Sequence, residues 1–239
     1  MTGWYLSRAR LRSDLAAREL ARALLGGDRD ASVAAGHRLI WTLFGDDPDR
    51  RRDFLWREET PGALAETRFY LLSARPPEDR LGLFELDPPK PFAPALRPGD
   101  RLRFSLRANP VVTRKDTEGR PCRHDVVMDA LQRRGIGSGA RAEHRWPVLQ
   151  EAGRAWLERQ GERSGFRLVI DGEGRPALRV DGYDQRVIPR ERARPAVFSV
   201  VDFEGVLEVA DPSSFLAALT RGFGKAKAWG CGLMLVRRA

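Results

Sequence analysis

The stretch Arg101-Leu-Arg-Phe-Ser-Leu-Arg-Ala108, followed by Asn109-Pro110, decides how the fold is divided. Leu102, Phe104 and Leu106 alternate with arginine and serine, a pattern typical of a strand with one face in the core. Proline has no amide hydrogen to donate, so Asn109-Pro110 ends this strand. We therefore place a domain boundary shortly after it, which gives an N-terminal domain over residues 1–112 and a C-terminal domain over residues 113–239.

In the first half, alternating apolar residues predict strands and helical spacing predicts helices. The strands are expected near Trp4–Leu11, Arg52–Glu58 and Arg68–Ala74, and the helices over Asp14–Leu25 and Ser32–Phe44. The stretch 76–99 contains seven prolines and predicts an extended loop. A second helix between strands has only weak support here.

In the second half, a helix is predicted over 145–160, with Trp146, Leu149, Trp156 and Leu157 as core residues. Further elements are a helix opened by Asp211-Pro212 and strands near 166–170, 177–188, 197–209 and 233–236. Each half thus fits the order βαββαβ. The predicted fold class is α+β, with two tandem ferredoxin-like (RRM-like) domains.

Composition excludes several classes of protein. No run of about 18 apolar residues is present and residues 1–12 do not resemble a signal peptide, so we expect a soluble, cytoplasmic protein. The only cysteines, Cys122 and Cys231, have no metal-type spacing, and the three histidines form no H-E-x-x-H motif. We therefore expect no disulfide framework, no metal site and no cofactor.

The formal net charge of +9 indicates an anionic partner. Only four of the 42 basic residues are lysine, and such an arginine bias is also typical of a GC-rich genome. The distribution is more informative, because residues 97–145 hold twelve basic and six acidic residues. Clustered positive charge binds phosphates, so nucleic acid is the favoured partner; without a basic amphipathic helix, a membrane surface is not.

The segment Gly222-Phe-Gly-Lys-Ala-Lys-Ala-Trp-Gly-Cys-Gly232 is unusual for its glycines and its two lysines. Glycine lets the backbone approach a ligand, and outward amides with a lysine suit a phosphate. It is not a nucleotide P-loop, because Ala226 follows Lys225 where serine or threonine is required. The alternative is a turn in which the glycines only avoid clashes, and residues alone do not decide between the two.

His37 lies on the predicted helix and shares a broad face with Val33, Ile40 and Phe44. A histidine there is often a packed residue. In the functional interpretation His37 lies at the margin of the apolar stripe with its ring toward a neighbouring loop, and its ordinary pKa near 6.5 suits proton transfer. His124 and His144 fall in the basic window and are expected to be surface residues. A ribonuclease with two converging histidines stays possible at this point.

Other motifs lack the context that their usual function requires. Residues 135–139 read Gly-Ile-Gly-Ser-Gly, but a predicted helix precedes them where a dinucleotide loop requires a strand. No G-x-S-x-G, paired catalytic carboxylates or aspartate cluster for Mg²⁺ stands out. The aromatic signature of the RNA-recognition module is absent too, so RNA would not be bound by the usual stacking face.

Several segments, in this order, resemble the CasE-type endoribonucleases of type I-E CRISPR systems. They are Tyr5-Leu-Ser-Arg8, His37–Phe44, Arg52–Trp56, Tyr70–Ala74, Pro88–Phe92, Arg103–Pro110, Phe203–Leu207 and Gly222–Leu233. The resemblance covers most of the chain and is weakest over 111–196. Each motif is short, but so many in the correct order are specific.

The resemblance implies two ferredoxin-like domains and metal-independent cleavage of a CRISPR repeat RNA hairpin at the base of its stem. The RNA 2′-hydroxyl would attack the adjacent phosphate, which leaves a 2′,3′-cyclic phosphate and a 5′-hydroxyl. His37 matches the catalytic histidine, as general acid or base, and Lys227 matches the lysine that binds phosphate. The implied partners are the crRNA and the other subunits of a type I-E Cascade-like complex.

The resemblance and the basic charge together suggest a set of RNA-binding residues. Arg190, Arg192 and Arg194 of this set occupy the position of a basic β-hairpin in the family. The set is Lys115, Lys225, Gly222, Gly224, Gly230, Arg38, Arg107, Arg123, Arg190, Arg192 and Arg194. At the level of single residues, a solvated charged loop is an equal alternative for that hairpin.

The sequence departs from the family at Ala34, because many members carry a tyrosine three residues before the histidine. A non-catalytic RNA-binding module of the same fold is therefore the second hypothesis. A small-molecule-binding ferredoxin-like regulator is the third, and it predicts no salt-sensitive RNA affinity.

Overall fold

A computed structural model describes residues 3–14, 17, 20, 31–45, 51–59, 67–189 and 194–239, with the backbone alone for 31–35. Packing divides the chain into two units. The first contains residues 1–95, 187–197 and 226–233, and the second contains 96–186, 198–225 and 234–239.

The first unit is built on an antiparallel sheet in the order β2-β3-β1-β4, and β5 also pairs with β1. Its elements are β1 (Tyr5–Leu11), α1 (Ala31–Thr42), β2 (Phe54–Glu59), β3 (Arg68–Ser73), β4 (Phe84–Leu86), β5 (Lys90–Pro91) and a 3₁₀ helix (Lys227–Trp229). The alternation of β1 and β3 places one side chain in two toward α1, as a half-buried sheet requires.

The core of the first unit lies between this sheet and α1. Its fully buried side chains come from both elements: Ile40, Leu43, Phe44, Phe54, Trp56, Phe69 and Leu71. Burying a side chain of this size stabilises the folded chain by about 1.5–3 kcal/mol. The Phe44 and Phe54 rings stack with centroids 4.4 Å apart, which fixes α1 against β2.

The second unit has a sheet in the order β10-β11-β6-β12, with β9 also pairing to β11. Its strands are β6 (Arg101–Ala108), β7 (Val111–Lys115), β8 (Pro121–Asp125), β9 (Phe166–Leu168), β10 (Leu178–Ile188), β11 (Ala196–Val209) and β12 (Met234–Arg238). Its helices are α2 (Val126–Arg133), α3 (Arg141–Ser164) and α4 (Pro212–Arg221). The strands β7 and β8 form a separate antiparallel hairpin.

The division into units differs from the predicted boundary after residue 112. Strand β6, which we predicted with its observed bounds, is hydrogen-bonded on one side to β11 and on the other to β12. It is therefore the central strand of the second sheet rather than the last strand of the first half. Alternation within one strand reveals its two faces but not its neighbours.

Most predicted helices and strands are confirmed, including α1, β2, β3 and α4. The predicted helix over 14–25 lies largely outside the described residues. The proline-rich stretch is not all loop, because β4 and β5 lie within it. No helix occurs over 74–83, all of which is described, so the first unit lacks a helix between β3 and β4. Trp146, predicted in the core, is 57% exposed.

Among the described residues, no helix combines the length and the apolar character that crossing a membrane requires. Helix α3 is long enough at 24 residues. Its charged residues, however, recur along its whole length.

Candidate active site

His37 lies in the middle of α1, with its imidazole half-buried. Leu39 and Ile40, two and three residues further on, are buried in the core, whereas Arg38 is exposed. The helical period of 3.6 residues therefore places His37 at the margin of the apolar face. This is the position that we predicted for it.

Tryptophan side chains surround the imidazole. Trp41, one turn further along α1, donates a hydrogen bond from its indole Nε1 to His37 Nε2 at 3.1 Å. The ring of Trp229 lies 5.0 Å from the imidazole, centroid to centroid, at a tilt of 52°. Trp41 is itself held by an edge-to-face contact with Phe54, with centroids 5.1 Å apart. The orientation of the imidazole is thus fixed from two sides.

A third tryptophan positions the backbone beside His37. Trp56 is fully buried and donates a hydrogen bond from Nε1 to the Ala228 carbonyl at 3.1 Å. Its indole is confined by two glycines, because a Cβ atom on Gly36 would lie 2.8 Å from Trp56 Cη2 and one on Gly230 would lie 3.2 Å from Cζ3. Gly230 also has φ +75°, which a residue with a side chain rarely adopts.

The pKa of His37 is lowered from its ordinary value near 6.5. Burial is the main cause, and the nearby positive charges of Arg52 and Arg38 add to it. The Ala228 carbonyl opposes this, because it favours the protonated ring. His37 Nδ1 is buried and has no hydrogen-bond partner among the described residues. The imidazole is therefore mainly neutral at pH 7.

Arg52 was not among the predicted site residues. It lies two residues before Phe54 at the start of β2, and alternation along the strand places it on the face toward α1. Among the described residues its buried Nη1 atom has no hydrogen-bond partner, and burial lowers the pKa of its guanidinium. Because burying a positive charge is costly, an anion bound here would be stabilised by Arg52.

The glycine-rich segment contributes to both units. In the first unit, Lys227 opens the 3₁₀ helix that packs against α1, and its side chain is half-buried. Ala226, which precedes it, has φ +52°, and this left-handed conformation costs an L-residue about 1–2 kcal/mol. Such strain is found preferentially at functional sites. The predicted pair Lys227 and His37 thus belongs to packed elements of one unit.

In the second unit, three of the predicted residues have structural contacts. The amide of Gly222 caps α4 by donating to the Ala218 carbonyl at 2.8 Å. A Cβ atom on Gly224 would lie 2.7 Å from the Asn109 carbonyl oxygen, which accepts a hydrogen bond from the Lys225 amide at 3.2 Å. Two of these amides are therefore engaged within the protein, while the Lys225 side chain is exposed.

The other predicted RNA-binding residues belong to different elements. Lys115 and Arg123 are exposed on the β7–β8 hairpin, and Arg194 is exposed before β11. Arg107 instead makes a two-bond ion pair with Asp202, with distances of 2.9 and 3.0 Å. Arg190 and Arg192 lie outside the described residues.

His124 and His144 are exposed in the second unit. Within the described ranges, no group of three or more histidine, cysteine, aspartate or glutamate side chains is arranged to hold a metal. Sequence reasoning missed Trp41, Trp229 and Arg52 as neighbours of His37. Only Trp41 had a sequence signal, because residues four apart on a helix lie on the same face.

Comparison with known proteins gives a consistent result. The family model described as "CRISPR associated protein" matches residues 4–238. The CRISPR-associated endoribonuclease Cse3 of Thermus thermophilus is 34% identical over 194 residues, which cover 78% of this chain and 80% of that protein. The CRISPR system Cascade subunit CasE of Escherichia coli is 29% identical over 210 residues, or 83% and 88% of the two chains.

A similar fold is found in a solved structure of endoribonuclease Cse3 bound to a 19-nucleotide RNA. The TM-score is 0.71 with 30% identity, over 98% of this chain and 99% of the other. The likeness therefore extends over both units.

Proposed function

Because this chain belongs to the CRISPR associated protein family, we propose that it is an endoribonuclease that cuts CRISPR repeat RNA and remains bound to the product within a type I-E Cascade-like complex. The observation that carries the proposal is the match to the relative named CRISPR-associated endoribonuclease Cse3, over four-fifths of that protein. The RNA in the similar solved structure supports an RNA ligand. The relative named as a Cascade subunit supports the assembly.

The proposed reaction uses the RNA's own 2′-hydroxyl as nucleophile at the base of the repeat hairpin. The O2′–P bond forms as the P–O5′ bond breaks, which leaves a 2′,3′-cyclic phosphate and a 5′-hydroxyl without a metal ion. His37 transfers a proton, and its lowered pKa keeps the ring able to accept one at pH 7. Proton transfer of this kind contributes about 10²–10⁴-fold to a rate.

Positive charge around the phosphate is the second part of the proposal. Lys227 binds the phosphate from the 3₁₀ helix that packs on α1. Arg52 adds a second charge beside His37, where its buried Nη1 has no partner among the described residues. A charge held near the reacting phosphate stabilises the transition state, so it offsets part of the loss of a tyrosine at Ala34.

We propose that the predicted set of residues binds RNA, and we expect its members to contribute unequally to the affinity. The side chains of Lys225, Lys115, Arg123 and Arg194 are exposed, which supports the proposal that they contact phosphates in salt-dependent binding. Arg107 would first have to leave Asp202, so we expect it to contribute least.

The fold of both units is proposed to be ferredoxin-like. When β5 and β9, which lie off the main path, are left out, each sheet has four strands, and their spatial order by position in the chain is second-third-first-fourth: β2-β3-β1-β4 in one sheet and β10-β11-β6-β12 in the other. This shared order supports a tandem arrangement. The first unit departs from the full pattern over 74–83, where no helix is formed.

The decisive experiment is cleavage of an end-labelled repeat hairpin in the presence of EDTA. We expect cleavage by the unaltered chain, loss of about 10²-fold or more in His37→Ala, and a 5′-hydroxyl product. Lys227→Ala should slow cleavage strongly, whereas Lys225→Ala, the same change two residues away, should mainly weaken binding and its salt dependence. Cleavage at the unaltered rate in His37→Ala would refute the catalytic assignment.

A second candidate function is RNA binding without cleavage. It is favoured by Ala34 and by the hydrogen bond from Trp41, which occupies the Nε2 lone pair of His37. This alternative predicts tight, salt-sensitive binding of the hairpin with no product in any variant.

A further inference from the structure

Trp41 makes the hydrogen bond that decides the chemical form of His37. An indole N–H donates and never accepts, so the ring nitrogen that it contacts must carry a lone pair. At 3.1 Å the bond is within normal range. Nε2 is therefore unprotonated, and the proton of the neutral ring is on Nδ1, which is buried and has no hydrogen-bond partner among the described residues.

We propose that Trp41 is the positioning residue of His37: it selects the neutral, Nδ1-protonated imidazole and gives up Nε2 to the RNA 2′-hydroxyl when the substrate binds. The proposal rests on the proposed function for its catalytic part. The lone pair that now accepts the indole hydrogen is the one that would accept the hydroxyl proton, so the geometry assigns His37 the role of general base.

The step conserves protons and electron pairs. As the O2′–P bond forms, the 2′-hydroxyl proton moves to Nε2 and the imidazole becomes a cation. The P–O5′ bond breaks with its electron pair on O5′, and water supplies the proton that O5′ takes up. The hydroxide so formed takes the proton from Nε2, which restores water and the neutral imidazole. Nδ1 keeps its proton throughout. The Ala228 carbonyl, which favours the protonated ring, stabilises the cation once it forms and is itself held by Trp56.

The Trp41 indole N–H and a proton compete for the lone pair of Nε2, so Trp41 lowers the proton affinity of His37. A proton on Nε2 would face the indole N–H directly, so the bond must break before the ring is protonated. Two charged groups act in the same direction: Arg38 on α1 and Arg52 before β2. Lys227 lies on the 3₁₀ helix that packs against α1. No carboxylate among the described residues contributes to the pKa shift of His37.

Nuclear magnetic resonance of the full chain tests this without RNA. Only three histidines are present, and the exposed His124 and His144 serve as internal references. In ¹⁵N-labelled protein the His37 ring should show the Nδ1-protonated tautomer. The indole N–H signal of Trp41 should shift with the same midpoint as His37 protonation, because protonation ends their hydrogen bond.

The variant Trp41→Phe keeps an aromatic ring against Phe54 but removes the donor. We expect the His37 titration midpoint to rise by about 0.5–1 pH unit, the size of one hydrogen bond, with the Nε2-protonated tautomer appearing. Trp229→Phe is the matched control, since Trp229 also lies on the imidazole but makes no hydrogen bond to it. In Trp229→Phe the His37 titration midpoint should move by less than half as much as in Trp41→Phe.

The RNA arm separates this inference from the proposed function. In single-turnover cleavage at saturating hairpin, the rising limb of the pH–rate profile should move upward in Trp41→Phe together with the titration midpoint. An unchanged midpoint and tautomer in Trp41→Phe overturn the inference, whatever the cleavage result. Should that variant fail to fold, an Nε2-protonated His37 in the unaltered chain, or a Trp41 indole signal insensitive to its titration, overturns it equally. Absence of cleavage by the unaltered chain would instead refute the proposed function, and unimpaired cleavage by His37→Ala would refute the catalytic assignment of His37.

Discussion

Replacing Gly36 by alanine would place a methyl group 2.8 Å from Cη2 of Trp56 and 3.2 Å from its Cζ3. Trp56 is 1% exposed, and its Nε1 is hydrogen-bonded to the Ala228 carbonyl beside His37. The indole therefore has no free direction in which to move without disturbing either the core or this carbonyl. A substitution adjacent to His37 in the chain is thus expected to act on it through Trp56.

Two effects of opposite sign decide the change in the free energy of unfolding. Alanine stabilises a helix interior by about 1 kcal/mol relative to glycine. Overpacking a well-packed core destabilises it by about 1–3 kcal/mol. The net destabilisation of Gly36→Ala is then between about zero and about 2 kcal/mol, which lowers Tm by at most about 8 °C in a chain of this size.

Cleavage should suffer more than stability. A displacement of about 1 Å at a catalytic group reduces a rate by up to about 10²-fold, so we expect cleavage to slow by about 10–100-fold. Thermal unfolding and single-turnover cleavage of the repeat hairpin measure the two quantities. Gly153→Ala in α3 is the matched control, because its Cβ would lie 2.8 Å from Cγ1 of Val180, a smaller side chain in the other unit. It should leave the cleavage rate unchanged.

A double-mutant cycle makes the reasoning refutable. Phenylalanine lacks the outer ring atoms that the new methyl group would meet, so in a Trp56→Phe background Gly36→Ala should stabilise the chain by about 1 kcal/mol. The sign of its effect would then reverse between the two backgrounds. Equal effects in both, or a Gly36→Ala variant that is stable and cleaves at the unaltered rate, would show that Trp56 does not transmit the change.

The lowered pKa of His37 means that the unfolded chain binds its proton more tightly. The neutral His37 therefore contributes its full stabilisation above about pH 6.5, and this contribution is lost as the pH falls below that value toward the folded-state pKa. The urea unfolding midpoints at pH 5 and pH 7.5 should differ less in His37→Ala than in the unaltered chain. An equal difference in the two proteins would contradict this. Burial is the main cause that raises the pKa of Tyr183, and the charge of Asp125 adds to it. Asp125→Asn should therefore lower the pH at which Tyr183 ionises, which ultraviolet absorbance measures. An unchanged ionisation pH would mean that burial acts alone. Asn109→Ala removes the buried donor to the Ser199 carbonyl, a bond of 2.8 Å, and should cost about 1–3 kcal/mol in urea unfolding, whereas a loss below roughly 0.5 kcal/mol would show that water replaces it.

Local features of the sequence were sufficient for the individual elements. Strand β6 could be predicted because apolar and polar residues alternate over Arg101–Ala108, and Asn109-Pro110 marks its end. Helix α4 begins where Asp211 accepts amide hydrogen bonds from Ser213 and Ser214, as its sequence indicates. Alternation and capping involve neighbours a few positions away, so they can be read from the chain itself.

Partners distant in sequence could not be predicted in this way. Trp146 follows a helical apolar pattern but is exposed, because the pattern does not say whether another element covers it. The pairing of β6 with β11 and β12 likewise joins residues about 100 or more positions apart. The predicted domain boundary differs from the observed division for this reason.

The order of residues was enough to place His37 on a helix at the margin of its apolar face, and Lys227 in a glycine-rich turn. The chemical form of His37, in contrast, depends on the folded chain. Burial lowers its pKa, the Trp41 indole occupies Nε2, and the Ala228 carbonyl, 191 positions along the chain from it, favours the protonated ring. The physical reason is that a side chain's proton affinity depends on the dielectric, charges and hydrogen bonds that folding brings around it.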